Sequence, residues 1–159
     1  MPHLSELHIL DRAECLELLR TVTMGRIAFA ERGLPAIQPV NFTVDGSNVI
    51  IRTSGGGKLA AAVTGAMVAL EADKVDAATR TGWSVVVMGH ARLIRNIDQL
   101  VALAGPDTHP WVPGRSDHVI RIKSERITGR RIVPAGRRAP EGPGKQGPSR
   151  WPPWPMSGT

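Results

Sequence analysis

Trp83-Ser84-Val85-Val86-Val87-Met88-Gly89-His90-Ala91-Arg92-Leu93-Ile94 is the stretch on which the fold turns. Trp83, Val85 and Val87 alternate with Ser84, Val86 and Met88, so both faces of an extended chain would be largely apolar. A strand of that kind is buried on both sides or runs through a closed barrel. Outward from it, Met67–Glu71 reads as a further strand and 72–82 as a polar connection. On the other side, 96–104 has the composition of a short helix and 105–117 that of a loop with three prolines. The segments 118–123 and 126–133 supply the last strand material.

Towards the N-terminus, 25–31, 36–44 and 48–53 are rich in Ile, Val, Phe and Thr and are separated by Arg32-Gly33 and Asp45-Gly46-Ser47. They read as three consecutive antiparallel strands, because Asp-Gly tolerates the positive φ angles of a tight hairpin turn. Before them, Asp11 and Glu14 form a capping-box pattern that opens a helix. Cys15, Leu18, Leu19 and Val22 recur along one face of that helix, and Gly25 is expected to end it. The expected architecture is mainly β, six or seven antiparallel strands with two or three flanking helices.

Between the third strand and the fourth lies Arg52-Thr53-Ser54-Gly55-Gly56-Gly57-Lys58, followed by the helix-tolerant Leu59-Ala60-Ala61-Ala62-Val63. Glycine amides and the positive end of a helix favour an anion, and Arg52 and Lys58 add full charges, so the segment has phosphate-binding chemistry. The Walker pattern is absent: no glycine stands five residues before Gly57-Lys58, and Leu59 replaces the hydroxyl residue that holds magnesium. Nucleotide triphosphatase chemistry is thereby disfavoured.

Composition bounds the rest. The chain of 159 residues fits one domain, and 42% hydrophobic residues suffice for a core. The net charge of +6 invites a nucleic-acid reading, but residues 134–159 carry half of the excess, with Arg137, Arg138, Lys145 and Arg150 against Glu141. Aromatic residues make up only 4%, too few for a stacking platform. No apolar run reaches the roughly 20 residues of a membrane-spanning helix. The N-terminus lacks the pattern of a secretory signal, and a cytoplasmic protein is expected. The single cysteine, Cys15, forms neither a disulfide within the chain nor a multi-thiolate metal site, and no metal is expected. From Pro134 onward seven prolines and five glycines fall in 26 residues, which reads as a disordered tail after a domain of residues 1–133. Its Trp151-Pro152-Pro153-Trp154-Pro155 ending has the composition of an extended recognition motif.

Taken in order, Gly25-Arg26, the segment from Pro35 to Asn41, Arg52-Thr53 leading into Lys58, and the run from Gly82 to Ala91 resemble the pyridoxamine phosphate oxidase-like family of flavin-binding split barrels, in particular its nitroimidazole-resistance branch. The resemblance covers residues 8–133 and implies a split β-barrel that binds FMN at a homodimer interface. It implies that Gln38, Pro39, Val40 and Asn41 line the flavin ring, chiefly through backbone groups. Arg52 and Thr53 would lie beneath the ribityl chain and phosphate, while Lys58 and the Gly57 amide would bind the phosphate. Ser84 would hydrogen-bond near the ring and Trp83 would flank it. The implied activity is a flavin-dependent oxidoreductase of a small organic molecule, with NAD(P)H as a candidate donor. Alternatives are FAD or a deazaflavin coenzyme in place of FMN, and a barrel that stores, senses or shuttles flavin or haem without turnover. The Arg- and Trp-rich ending that binds substrate phosphate in true pyridoxamine phosphate oxidases has no counterpart after His118, so vitamin B6 oxidation is not expected. None of His3, His8, His90, His109 and His118 matches a catalytic histidine.

Overall fold

A computed structural model describes residues 5–103 and 118–134. The expected loop over 105–117 and the expected tail lie outside the described residues, apart from Pro134, which ends the last strand. Among the described residues, three helices and eight strands follow in the order β1 (Ser5–Leu10), α1 (Arg12–Leu19), β2 (Met24–Glu31), β3 (Leu34–Asp45), β4 (Asn48–Thr53), α2 (Gly57–Thr64), β5 (Met67–Asp76), β6 (Thr81–Ile94), α3 (Ile97–Ala102), β7 (His118–Ile122) and β8 (Arg126–Pro134). No helix among the described residues is long and apolar enough to cross a membrane.

Six strands close into an antiparallel ring in the order β6-β5-β2-β3-β4-β7, which returns to β6. The long strand β6 makes the closure possible. One edge pairs with β5 from Thr81 to His90. The other edge is shared: Gly82–Met88 pairs with β8, and Ala91–Ile94 pairs with β7. Between these two stretches the Lys123 carbonyl sits against Gly89, so closely that a side chain there would collide with it. Glycine is required at that point because backbone, not a flexible side chain, fills the space. Beyond the ring, β8 and then β1 extend the sheet outward from β6.

The interior is apolar as the alternation along β6 requires. Leu19, Ile27, Val49, Ile51, Leu70, Val85, Val87, Ile120 and Ile122 are fully enclosed. A second, smaller cluster of Ile50, Ile94 and Val119 lies on the outer side of β4, β6 and β7, where Leu100 and Leu103 cover it.

Several sequence expectations are met. Asp11 accepts from the Glu14 amide at 2.9 Å while Glu14 accepts from the Asp11 amide at 2.8 Å, the reciprocal capping box. Asn48–Thr53 is the third of the three consecutive hairpin strands. Others need correction. Gly25 does not end α1, which stops at Leu19 with Arg20 as its cap; Gly25 lies inside β2, where the Glu71 carbonyl and the Phe42 ring leave no room for a side chain. The segment 72–82 is not a polar connection throughout, since β5 continues to Asp76 and β6 begins at Thr81. Pairing with β6 holds that polar extension in the sheet although it offers little apolar area. The expected six- to seven-stranded antiparallel barrel is met by the closed ring of six; among the described residues β8 and β1 extend it, and β1, whose Leu7 and Ile9 are exposed, has no buried face to mark it in the sequence.

Candidate functional site

The ring is continuous but not uniformly sealed. Along Leu34–Asn41, β3 pairs with β2, whereas on its other side β4 meets it only over Phe42–Asp45. The far edge of Leu34–Asn41 therefore has no ladder partner among the described residues. Its unpaired N–H and C=O groups are those of an edge strand, ready to bond another molecule. Pro35 and Pro39, which lack a donor, suit such an edge.

Across from that edge the chain leaves β4 and enters the glycine loop. Thr53 is 5% exposed, and its hydroxyl both donates to the Gly55 carbonyl at 2.9 Å and accepts from the Gly55 amide at 3.3 Å. Gly55 and Gly56 take φ of +143° and +85°, with open space where side chains would stand. These are left-handed values that glycine alone adopts without strain, so the loop leaves its backbone uncovered. Gly56 caps α2 without a side-chain hydrogen bond, and the first helical bond runs from the Ala60 amide to the Gly56 carbonyl. The first-turn amides therefore have no side-chain cap, at the positive end of the helix. Gly57 fits the helix start against β2: a Cβ there would come within 2.6 Å of Phe29 Cε2 and 3.1 Å of Glu31 Oε1. Lys58 is partly buried, and burial pulls its ammonium pKa below the usual value of 10.5. No carboxylate among the described residues pairs with it.

Asn41 and Arg52 meet in a narrow recess with Phe42, Thr43 and Ile50. Arg52 donates through Nη2 to the Leu103 carbonyl at 3.3 Å. Its Nε is buried without a partner, as is Asn41 Oδ1. An unsatisfied buried polar atom costs about 1–3 kcal/mol, so two at one recess leave hydrogen-bonding capacity that the described residues do not use.

The remaining expected site residues divide. Gln38 and Pro39 are exposed on β3, and the Val40 side chain points into the core at 6% exposure. Trp83, at 9%, also belongs to the core cluster. Ser84 lies on the opposite face of β6, partly exposed and in register with Asp73 and Arg130. His90 forms a pair with Glu125, Nδ1 to Oε1, at 2.9 Å on the surface.

Sequence reasoning missed one polar group. Arg26 lies 3.2 Å from Glu71 and 3.6 Å from Asp73. Arg26 and Asp73 join Pro39, Gly25 and the turn Thr21–Met24 around an open cavity of about 430 Å3. Burial, followed by the neighbouring Asp73, raises the Glu71 carboxyl pKa, while Arg26 opposes the rise. The usable signal was the alternation of Val68, Leu70 and Ala72 with Ala69, Glu71 and Asp73, which carries the strand past Glu71. Among the described residues, no three His, Cys, Asp or Glu side chains are grouped to hold a metal ion.

Comparison with known proteins agrees with this fold. The chain is 45% identical over 129 residues to the uncharacterized protein Rv0080 of Mycobacterium tuberculosis, covering 78% of this chain and 84% of that one. It is 35% identical, with a TM-score of 0.70, to the crystal structure of a candidate pyridoxamine 5'-phosphate oxidase from Corynebacterium glutamicum, covering 79% and 92%. The FAD binding protein from Mycobacterium smegmatis is 34% identical with a TM-score of 0.60, covering 79% and 98%. The family model for pyridoxamine 5'-phosphate oxidase matches residues 11–131. With that match across most of its length and a split barrel to go with it, the chain belongs to the pyridoxamine 5'-phosphate oxidase family.

Proposed function

We propose that this protein binds a flavin in the split between β3 and β4 and uses it, as a homodimer, for oxidoreduction of a small organic molecule. The observation that carries the reading is the recess where buried Asn41 Oδ1 and Arg52 Nε lack partners beside the unpaired edge of β3, with the uncapped start of α2 and Lys58, which pairs with no carboxylate among the described residues, following β4 in the chain. These fit a ligand with a hydrogen-bonding heterocycle at one end and an anion at the other. Gln38 to Asn41 would hold the ring through backbone groups, and Lys58 with the Gly57 amide would hold the phosphate. Arg52 would lie along the chain between them. Thr53 shapes the loop rather than reaching the ligand, because its hydroxyl is engaged with Gly55. The FAD binding of the Mycobacterium smegmatis relative supports a flavin as the class of cofactor.

A bound flavin supplies a ring that accepts or delivers a hydride, while the protein orients it and excludes competing reactions. Here the second copy would cover an outer face. Ile37, Ala28, Ala69 and Met88 form one cross-strand row over β3, β2, β5 and β6. Ile37 is 70% exposed, Met88 39% and the nearby Met67 48%. An exposed apolar patch of this kind is characteristic of an interface. The cavity at Arg26 and Asp73 adjoins the same face and shares Pro39 with the proposed ring edge, so it is our candidate for the substrate's place.

Titration of the purified protein with FMN and with FAD, followed by flavin fluorescence quenching, tests the reading. Saturable quenching is expected with wild type and a large loss with Lys58→Met. Colourless protein that takes up neither flavin overturns it. Analytical ultracentrifugation should give a dimer that Met88→Lys converts to monomer; a wild-type monomer removes the dimer from the proposal.

A further inference from the structure

Gly57 opens α2 against the end of β2. Ile27, Phe29 and Glu31 stand at every second position of that strand, so they share the face turned into the barrel. Ile27 and Phe29 are buried, whereas Glu31, the last residue of the strand, is exposed at its rim. A side chain on Gly57 would meet Glu31 Cδ and Glu31 Oε1 at 3.1 Å, so the carboxylate itself lies against the helix start. Gly56 supplies no side-chain cap there. Uncapped amides and the positive end of the helix dipole favour a carboxylate in such a place. One of the chain's own anions therefore stands where a flavin phosphate would meet the Gly57 amide and Lys58.

Two anions at one helix start repel each other, the more so where salt does not screen them. Glu31 has room to withdraw. With Arg32, Leu34, Pro35 and Ala36 it lines an open cavity of about 430 Å3 in the hairpin of β2 and β3. Arg32, an exposed cation, follows it directly in the chain. The carboxylate thus has a second position open to it, away from α2. Gln38 to Asn41, the residues assigned to the flavin ring, lie further along β3 and do not line this cavity.

We propose that Glu31 competes with the flavin phosphate for the start of α2, and so sets how strongly the protein prefers a phosphorylated flavin to riboflavin and how readily that flavin leaves. The inference rests on the flavin reading above. In the ligand-free protein the carboxylate holds the helix start; the arriving phosphate displaces it towards the cavity beside Arg32. Apparent affinity for a phosphorylated flavin is then the intrinsic affinity reduced by the share of molecules in which Glu31 has already withdrawn. Riboflavin, which carries no phosphate, leaves Glu31 where it is and escapes that reduction. The flavin is accordingly held as an exchangeable ligand, with the charge of one side chain governing the exchange.

The test compares FMN and riboflavin binding to wild type and Glu31→Gln by fluorescence quenching at low and high salt, with FMN release followed by stopped flow. Glutamine keeps the size of the side chain and removes its charge. At low salt Glu31→Gln is expected to bind FMN about threefold to tenfold more tightly than wild type and to release it more slowly, the scale of one exposed charge beside a helix start. Its riboflavin affinity should stay within about twofold of wild type, and the gain for FMN should shrink as salt screens the repulsion. Glu31→Lys should move FMN affinity further in the same direction and carries the test should Glu31→Gln fail to fold. Equal FMN affinity in wild type and both variants overturns the proposal while leaving the flavin reading intact. An equal gain for riboflavin also overturns it, by moving Glu31 to the ring end of the ligand, and weaker FMN binding in Glu31→Gln does so by making the carboxylate a support of the bound flavin. Failure of wild type to bind either flavin removes the earlier reading, and this one with it.

Discussion

The two sides of the barrel spend their polar groups differently. Where β5 meets β6, the ladder runs unbroken from Met67 to Asp76 against Thr81 to His90, and Leu70, Ala72, Val85 and Val87 behind it are fully enclosed. Backbone donors and acceptors there are consumed by one another. Where β3 parts from β4, the ladder ends after four residue pairs, and an unpaired β3 edge and the orphaned atoms of Asn41 and Arg52 stand there instead, with the glycine loop and the partly buried Lys58 next in the chain. The difference teaches that the closed wall carries stability, whereas the split leaves polar capacity that the fold itself does not use. A ligand of matching chemistry can use it without dismantling the core.

Substitutions at the two places should separate. The largest effect is expected on the closed wall: Leu70→Ala, at a fully enclosed position, should cost about 2–5 kcal/mol in chemical denaturation and leave flavin affinity of the folded fraction unchanged. Selective loss of flavin binding at full stability would break the contrast. At the split, Lys58→Met should weaken flavin binding at least about tenfold without lowering ligand-free stability, because the charge it removes is desolvated and unpaired. The sign with pH follows from the same side chain. Its folded pKa is lowered, so the cost of keeping it charged is present at neutral pH and is relieved as pH rises towards 10.5. An anion favours the charged form, so flavin affinity should fall as pH climbs through the lowered Lys58 pKa, and that slope should vanish in Lys58→Met.

Smaller effects sharpen the picture. Asp11→Ala removes the cap of α1, away from the split, and should cost about 1 kcal/mol of stability with no change in flavin binding, measured by denaturation and titration together. Glu71, on the outer face of the closed wall, has a raised folded pKa. Its protonated form is favoured by folding, so its contribution is present below the ordinary value of 4.5 and is lost as pH rises through the raised one. Glu71→Gln should flatten that part of the stability profile; an unchanged slope assigns it to another group.

Much of this was legible before any coordinates. Both-sided apolar alternation in β6 pointed to a closed barrel, Asp45-Gly46 to the hairpin into β4, and Asp11 with Glu14 to the cap of α1, because each is a local signal. The glycine loop was legible too, since its charge and backbone freedom are written in consecutive residues. What escaped depends on pairing. β1 has exposed apolar side chains and becomes a strand only against β8. Gly25 looked like a helix end, but its reason is the Glu71 carbonyl 46 residues away. Arg26 meeting Glu71, and Arg121 meeting Arg92, arise from cross-strand register that no single window contains. Trp83, expected at the ring by resemblance, packs in the core cluster with Val85 and Val87; because both faces of β6 are apolar, its sequence does not say which face turns inward.

Amide chemical-shift mapping on addition of flavin reads both sides of the barrel at once. The account predicts that the largest changes fall on the β3 edge, Ala36 to Asn41, and on the Gly55 to Lys58 turn, saturating together with the quenching curve. No saturable change, or changes confined to β1 and β8, would contradict it.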